Sequence, residues 1–291
     1  MKKQTNLSVV FNCCNLCLPS INILKYGIKI FLAAAIFFFP FCEAFSQFIW
    51  IQKASVPATG RFDAVGFSIG KKGYIGTGLT GTTWSSPSLN DFWEWDKASD
   101  VWTQKADYGG GADYAAVGFS IGAKGYIGTG GNNAMADFWE WDQATNVWTP
   151  KANFGGMSGI RLNAAGFAIG AKGYIGTGFT NSAKSQDWWE WDQATDTWTQ
   201  KANFAGTART AAVGFSIGAK GYIGTGEDAS GATQDFWEWD PNANTWTQKA
   251  NFPGPARSEA VGFSIAAKGY LGTGADKTGT PLKDFWQWDQ A

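Results

Sequence analysis

The feature that most constrains this chain is a segment copied five times. Lys72-Gly73-Tyr74-Ile75-Gly76-Thr77-Gly78 returns at Lys124, Lys172, Lys220 and Lys268, the last copy with Leu271 in place of isoleucine. The first glycines, Gly73, Gly125, Gly173, Gly221 and Gly269, are spaced by 52, 48, 48 and 48 residues. A second segment, Asp91-Phe92-Trp93-Glu94-Trp95-Asp96, recurs at Asp137, Asp187, Asp235 and Asp284. A third, Trp102-Thr103-Gln104-Lys105-Ala106, recurs at Trp148, Trp198 and Trp246, and Trp50-Ile51-Gln52-Lys53-Ala54 is the same element once more. A period of this length marks a supersecondary unit that buries its faces on neighbouring copies.

Each unit reads as four strands. Val65, Phe67 and Ile69 alternate with Gly66, Ser68 and Gly70, the period of two of a strand. Gly70 to Gly73 forms a glycine-containing turn into the strand Tyr74 to Gly78. Asp91 to Asp96 is a third strand with aromatic residues on both faces, and Trp102 to Lys105 is the fourth. The turn between them has clear turn chemistry in Asp240-Pro241-Asn242-Ala243-Asn244. The first two strands are lean and the last two bulky. A wedge-shaped sheet needs that taper, because inner strands crowd an axis and outer strands fill a widening gap. The expected fold is therefore all-β: a β-propeller of five four-stranded blades over residues 47–291. The 17 Trp, 22 Phe and 38 Gly of the chain suit it.

The fifth repeat ends at Ala291 without its Trp-Thr-Gln-Lys strand. Trp50 to Ala54 is expected to pair with Asp284 to Asp289 and close the ring, which would remove two exposed sheet edges. A truncated ring is the competing expectation.

Residues 1–46 differ from the rest. Lys2, Lys3, Lys25 and Lys29 precede an apolar run from Ile30 to Phe41, followed by Ala44-Phe45-Ser46. This reads as a signal peptide, and the run is shorter than a bilayer span. It predicts a secreted, periplasmic or cell-surface protein, with membrane contact only through an uncleaved leader. All four cysteines, Cys13, Cys14, Cys17 and Cys42, lie in it, and the chain has no His. The exported part would then have no disulfide, no thiol nucleophile and no His-ligated metal. A net charge of −1 offers no footprint for nucleic acid.

Gly76-Thr77-Gly78, the aromatic-Asp segment, the fourth-strand Trp and the Arg before each blade resemble the Kelch repeat, with Gly-Thr-Gly departing slightly from that family's paired glycines. The Asp-Phe-Trp-Glu-Trp-Asp and Lys-Ala-Asn-Phe wording is similar to exported Kelch-repeat proteins of Bacteroidetes. The resemblance, which extends to the galactose oxidase superfamily, implies a propeller whose blade-joining loops line one mouth of a central channel. There Arg61, Arg161, Arg209 and Arg257, with Asp113 in the second repeat, would form a partial basic ring for an anionic ligand or partner carboxylates. The competing expectation pairs each Arg with an acid of an adjacent blade. Galactose oxidase-type copper chemistry would call for His and a Cys–Tyr pair, so no cofactor or metal is expected.

Glu94, Glu140, Glu190 and Glu238, each between two Trp, are expected to be scaffold, bonded to backbone or Lys. Asp96 and its counterparts fall at strand ends, where Asp serves turns. Variation gathers in the loops 79–90, 131–136, 179–186, 227–234 and 275–283 between the second and third strands. Binding specificity commonly resides on loops held by a rigid frame. Trp84 stands outside the repeat pattern there, and Glu227-Asp228 and Asp276-Lys277 are further polar candidates. The expected function is a protein- or carbohydrate-binding or scaffolding module with no catalytic residues. An enzyme similar to the Kelch-type sialic acid mutarotases and a structural part of a larger exported protein are the alternatives.

Overall fold

The computed structural model describes residues 51–131, 136–155, 159–180 and 183–290. The expected leader, all four cysteines and Trp50 lie outside them. Ile51–Ala291 is one compact unit. It holds four complete four-stranded antiparallel blades and a fifth of three strands. Blade 1 is Val65–Ile69, Lys72–Gly76, Phe92–Asp96 and Val101–Gln104; blade 2 is Val117–Ile121, Lys124–Gly128, Phe138–Asp142 and Val147–Pro150. Blade 3 is Ala165–Ile169, Lys172–Gly176, Trp188–Asp192 and Thr197–Lys201; blade 4 is Val213–Ile217, Lys220–Gly224, Phe236–Asp240 and Thr245–Gln248. Blade 5 is Val261–Ile265, Lys268–Gly272 and Phe285–Asp289. Each of these blades pairs its strands in chain order, as the repeat predicts.

Small residues in the first two strands let blades approach. A Cβ on Gly118 of blade 2 would lie 2.0 Å from Val65 of blade 1, and one on Gly125 would lie 2.4 Å from Phe67. The neighbouring blade's side chains therefore occupy the space a larger residue would need. The bulky strands fill the outside. Phe92 is fully buried with Tyr74, Trp141 and Trp148 at 5.6, 5.1 and 5.2 Å between ring centroids. Burial of each such ring stabilises by roughly 1.5–3 kcal/mol. A run of backbone bonds also joins blade to blade: Ala115 N to Asp63 O, Asn163 N to Ala115 O, Ala211 N to Asn163 O and Glu259 N to Ala211 O. The five residues linked in this way all have φ between 51° and 57°.

The ring does not close among the described residues. Val213, Phe215 and Ile217 of blade 4 are 3–4% exposed, whereas Val261, Phe263 and Ile265 of blade 5 are 58%, 40% and 60% exposed. On the far side of blade 1, a Cβ on Gly66 would meet only a backbone oxygen of its own sheet. The knob and hole faces that join the other blades are both present here but do not meet. The expected pairing with Asp284–Asp289 is not formed by residues 51–54, and Trp50 is outside the described residues. A cavity of about 300 Å³, lined by Phe236, Phe252 and Trp288, opens at the outer edge of blade 5. In blade 4 the fourth-strand Trp246 lies against the corresponding Trp188, Phe204 and Trp239. Ala54 is nonetheless placed like a strand exit: its N–H donates to Asp100 and its carbonyl accepts Trp102 Nε1, as Ala106 does with Asn146 and Trp148.

Candidate functional site

The Arg before blades 1, 3, 4 and 5 is held by a turn with a strained backbone. Thr77, Thr177, Thr225 and Thr273 of the Gly-Thr-Gly turns have φ of 57–60°, an unusual region for a β-branched residue. The carbonyl each turn presents accepts the Nη1 of Arg61, Arg161, Arg209 or Arg257. The same guanidinium grips the aspartate that opens the third strand in a two-pronged pair. Arg61 holds Asp91 at 2.6 and 2.7 Å, Arg161 holds Asp187 at 2.8 and 2.7 Å, and Arg209 holds Asp235 at 2.6 and 2.7 Å. Arg257 holds Asp284 at 2.8 and 2.6 Å. Trp93, Trp189, Trp237 and Trp286 donate to the same carboxylates. The guanidinium carbons of Arg161, Arg209 and Arg257 lie 4.8, 4.9 and 4.5 Å from the centroids of Phe154, Phe204 and Phe252, a cation–π contact.

These Arg side chains are 0–6% exposed. The expected basic ring at a channel mouth therefore gives way to internal clamps, and the partner acid belongs to the same blade rather than an adjacent one. Burial would raise the carboxyl of Asp187, but the bonds and charge of Arg161 more than offset it and hold it below its ordinary value. Hydrogen bonding from Arg257 is the main reason Asp284 drops to about 2.

Blade 2 departs from this pattern. Asp113 replaces the Arg, is buried, and accepts the N–H groups of Tyr114 and Gly131. Tyr108 replaces the Phe and points its hydroxyl toward Asp137 at 3.4 Å. Asp137 lacks a guanidinium, and burial raises its carboxyl despite bonds from Trp139 and Tyr108.

The third-strand glutamates are also internal. Tyr74, Tyr126, Tyr174 and Tyr222 each donate to Glu94, Glu140, Glu190 or Glu238 at 2.7 Å. Lysines complete the clusters: Lys72 and Lys105 on Glu94, Lys172 and Lys201 on Glu190, and Lys249 on Glu238. Asp96 and its counterparts accept turn N–H groups, as expected.

The variable loops contain the exposed candidates. Trp84 is 54% exposed and leans on Phe62 and Tyr114 at 6.0 and 5.9 Å between centroids. Glu227 pairs with Lys184 at 2.7 Å, and Asp228 accepts Thr207 and Ser230. Asp276 accepts the N–H groups of Thr278 and Thr280 and the Thr278 hydroxyl, and the Thr278 bonds chiefly lower its carboxyl. Glu227 and Asp276 meet, with Glu259 and Lys277, around a cleft of about 410 Å³ between blades 4 and 5. Trp84 lies apart, on the loop of blade 1. Glu259 was not a candidate from sequence, since only the fold brings it beside Glu227.

These features define a β-propeller. No known family profile matches the sequence, and no curated protein matches it. Among solved structures the chain is similar to the one titled "Structure of YjhT", at 14% identity and a TM-score of 0.69, over 81% of this chain and 84% of that one. At that identity the likeness shows the fold.

Proposed function

We propose that the protein is an exported Kelch-type propeller that binds a protein or glycan through the loops between its second and third strands. One observation supports this most directly. The charges repeated from blade to blade are used internally, whereas the cleft between blades 4 and 5 gathers Glu227, Asp276 and Lys277 from loops that differ, with Glu259 beside them. Repetition in the frame and divergence in the loops is the division expected of a binding module. With Glu227 paired to Lys184, Glu259 and Asp276 face Lys277, and that excess of acid suits a ligand rich in hydroxyl or amino groups. A mutarotase-like enzyme would need charged groups free to face substrate, and the Arg set that suggested it is bound to aspartates.

The purified protein is tested on a glycan array and against partners captured from its own culture supernatant. The expected result is a ligand whose affinity falls at least about tenfold, or 1.4 kcal/mol, in Asp276→Asn combined with Lys277→Ala. A ligand bound equally well by that variant, with its melting temperature unchanged, would place the site elsewhere.

A further inference from the structure

In blades 2, 3 and 5 the residue after the third strand reaches back to the preceding blade. Gln143 Nε2 donates to Tyr74 Oη at 2.6 Å, Gln193 to Tyr126 at 2.6 Å, and Gln290 to Tyr222 at 2.5 Å. The tyrosine hydroxyl gives its own proton to the glutamate of its blade, so its oxygen is the acceptor for a carboxamide. Three inter-blade junctions are thus closed by an amide of the chain itself. Within its own blade the same residue is also tied down by its backbone, with Gln143 N donating to Ala123 O and Gln193 N to Ala171 O.

The junction between blades 3 and 4 breaks the series. Pro241 stands where the others have Gln. It has neither a side-chain amide for Tyr174 nor an N–H for the carbonyl of Ala219. Tyr174 still donates to Glu190 at 2.7 Å, and burial, followed by that glutamate, pushes its hydroxyl well above the ordinary range, so it stays protonated. Where the glutamine would lie there is a cavity of about 440 Å³, lined by Tyr174, Glu190, Lys172, Lys201, Ala219 and Pro241. That volume falls within the range of small-ligand pockets and far exceeds a single water. Lys172 bridges Glu190 and Asp192 at 2.8 and 3.2 Å and Lys201 meets Glu190 at 3.4 Å, so two lysines are balanced by two carboxylates and no net charge is left to attract an anion.

We propose that this cavity is a binding site for a small primary carboxamide, of the chemical class of glutamine, whose N–H groups donate to Tyr174 Oη and the Ala219 carbonyl. The bound amide takes the place that Gln143, Gln193 and Gln290 fill from within the chain. The site is separate from the loop cleft proposed above, and its test does not depend on that reading.

L-glutamine is titrated into the protein by calorimetry, with L-glutamate as the matched probe. Glutamine is expected to saturate one site. Glutamate is expected to bind at least about tenfold more weakly, because its carboxylate offers no donor and faces Glu190. Pro241→Gln restores the residue found at the other junctions and fills the cavity, so it should abolish binding while keeping the melting temperature. Tyr174→Phe removes the acceptor, together with the bond to Glu190, without filling the cavity and should weaken binding by roughly tenfold. No heat with millimolar glutamine would overturn the proposal. So would equal binding of glutamate, or undiminished binding by a folded Pro241→Gln. If Pro241→Gln fails to fold, Tyr174→Phe decides: glutamine affinity unchanged in that variant rejects the site.

Discussion

In blade 3 the aspartate opening the third strand faces a guanidinium: Asp187 is gripped by Arg161, which also lies over Phe154. In blade 2 the corresponding Asp137 faces Tyr108, and the Arg position is held by Asp113. Both aspartates are about equally enclosed by protein, yet their carboxyls shift in opposite directions, Asp187 down and Asp137 up. Burial is common to the two, so the guanidinium makes the difference. The comparison separates a carboxylate that stabilises the fold from one that the fold tolerates.

Removing the cation from an Arg-bearing blade is expected to have the largest effect. Arg209→Leu leaves Asp235 without its partner, frees the Thr225 carbonyl, and removes the contact over Phe204. Breaking a buried pair from one side costs about 3–5 kcal/mol. Urea denaturation should show this as a lower midpoint at unchanged slope. A loss under about 1 kcal/mol would mean that the clamp contributes no more than a surface ion pair, and the contrast with blade 2 would collapse.

Much of this frame was legible in the sequence. The alternation around Phe67, the Gly70 turn and the aromatic third strand specify the strands, and they pair in the order read. The role of the Arg set was misplaced, although a signal was present. Where Asp113 replaces Arg, Tyr108 replaces the Phe found at 154, 204 and 252, and that joint change marks residues that touch. Ring closure was not legible for a different reason. The period fixes which strands adjoin, but the angle between blades comes from contacts such as Val65 on Gly118, which no spacing encodes. Pro241 likewise read as turn chemistry alone. Its consequence appears only once Gln143 and Gln193 are seen to cross to a neighbour's tyrosine.

Neutralising the two aspartates should sharpen the contrast. Asp187→Asn removes a charge that Arg161 holds and is expected to cost about 2–3 kcal/mol at pH 7. Asp137→Asn removes a charge that no cation balances among the described residues and should be neutral or stabilising by up to about 1 kcal/mol. The pH dependences have opposite signs. The folded carboxyl of Asp187 lies below its ordinary 3.8, so its contribution is present above that pH and is lost as pH falls through the folded value. The folded carboxyl of Asp137 lies above 3.8, so its contribution is present below that pH and is lost as pH rises through the folded value. Melting temperatures of the two variants against the parent, from pH 3 to 7, should therefore diverge in opposite directions. Parallel curves would show that the guanidinium does not distinguish the two sites.

The smallest effect should come from Tyr108→Phe, which gives blade 2 the ring of its neighbours without their cation. The hydroxyl makes only long bonds, 3.4 Å to Asp137 and 3.5 Å to the Ile127 carbonyl, so the loss at neutral pH should be about 0.5–1 kcal/mol. Its sign with pH is informative. The Tyr108 bond lowers the Asp137 carboxyl, so losing it makes the ionised form costlier still. The penalty should therefore shrink as pH falls below the raised value of Asp137, where the carboxyl carries its own proton. A penalty of the same size at pH 3 and pH 7 would tie Tyr108 to packing alone. Blade 2 would then tolerate an acid without a guanidinium, and without help from the hydroxyl that Tyr108 adds to the ring.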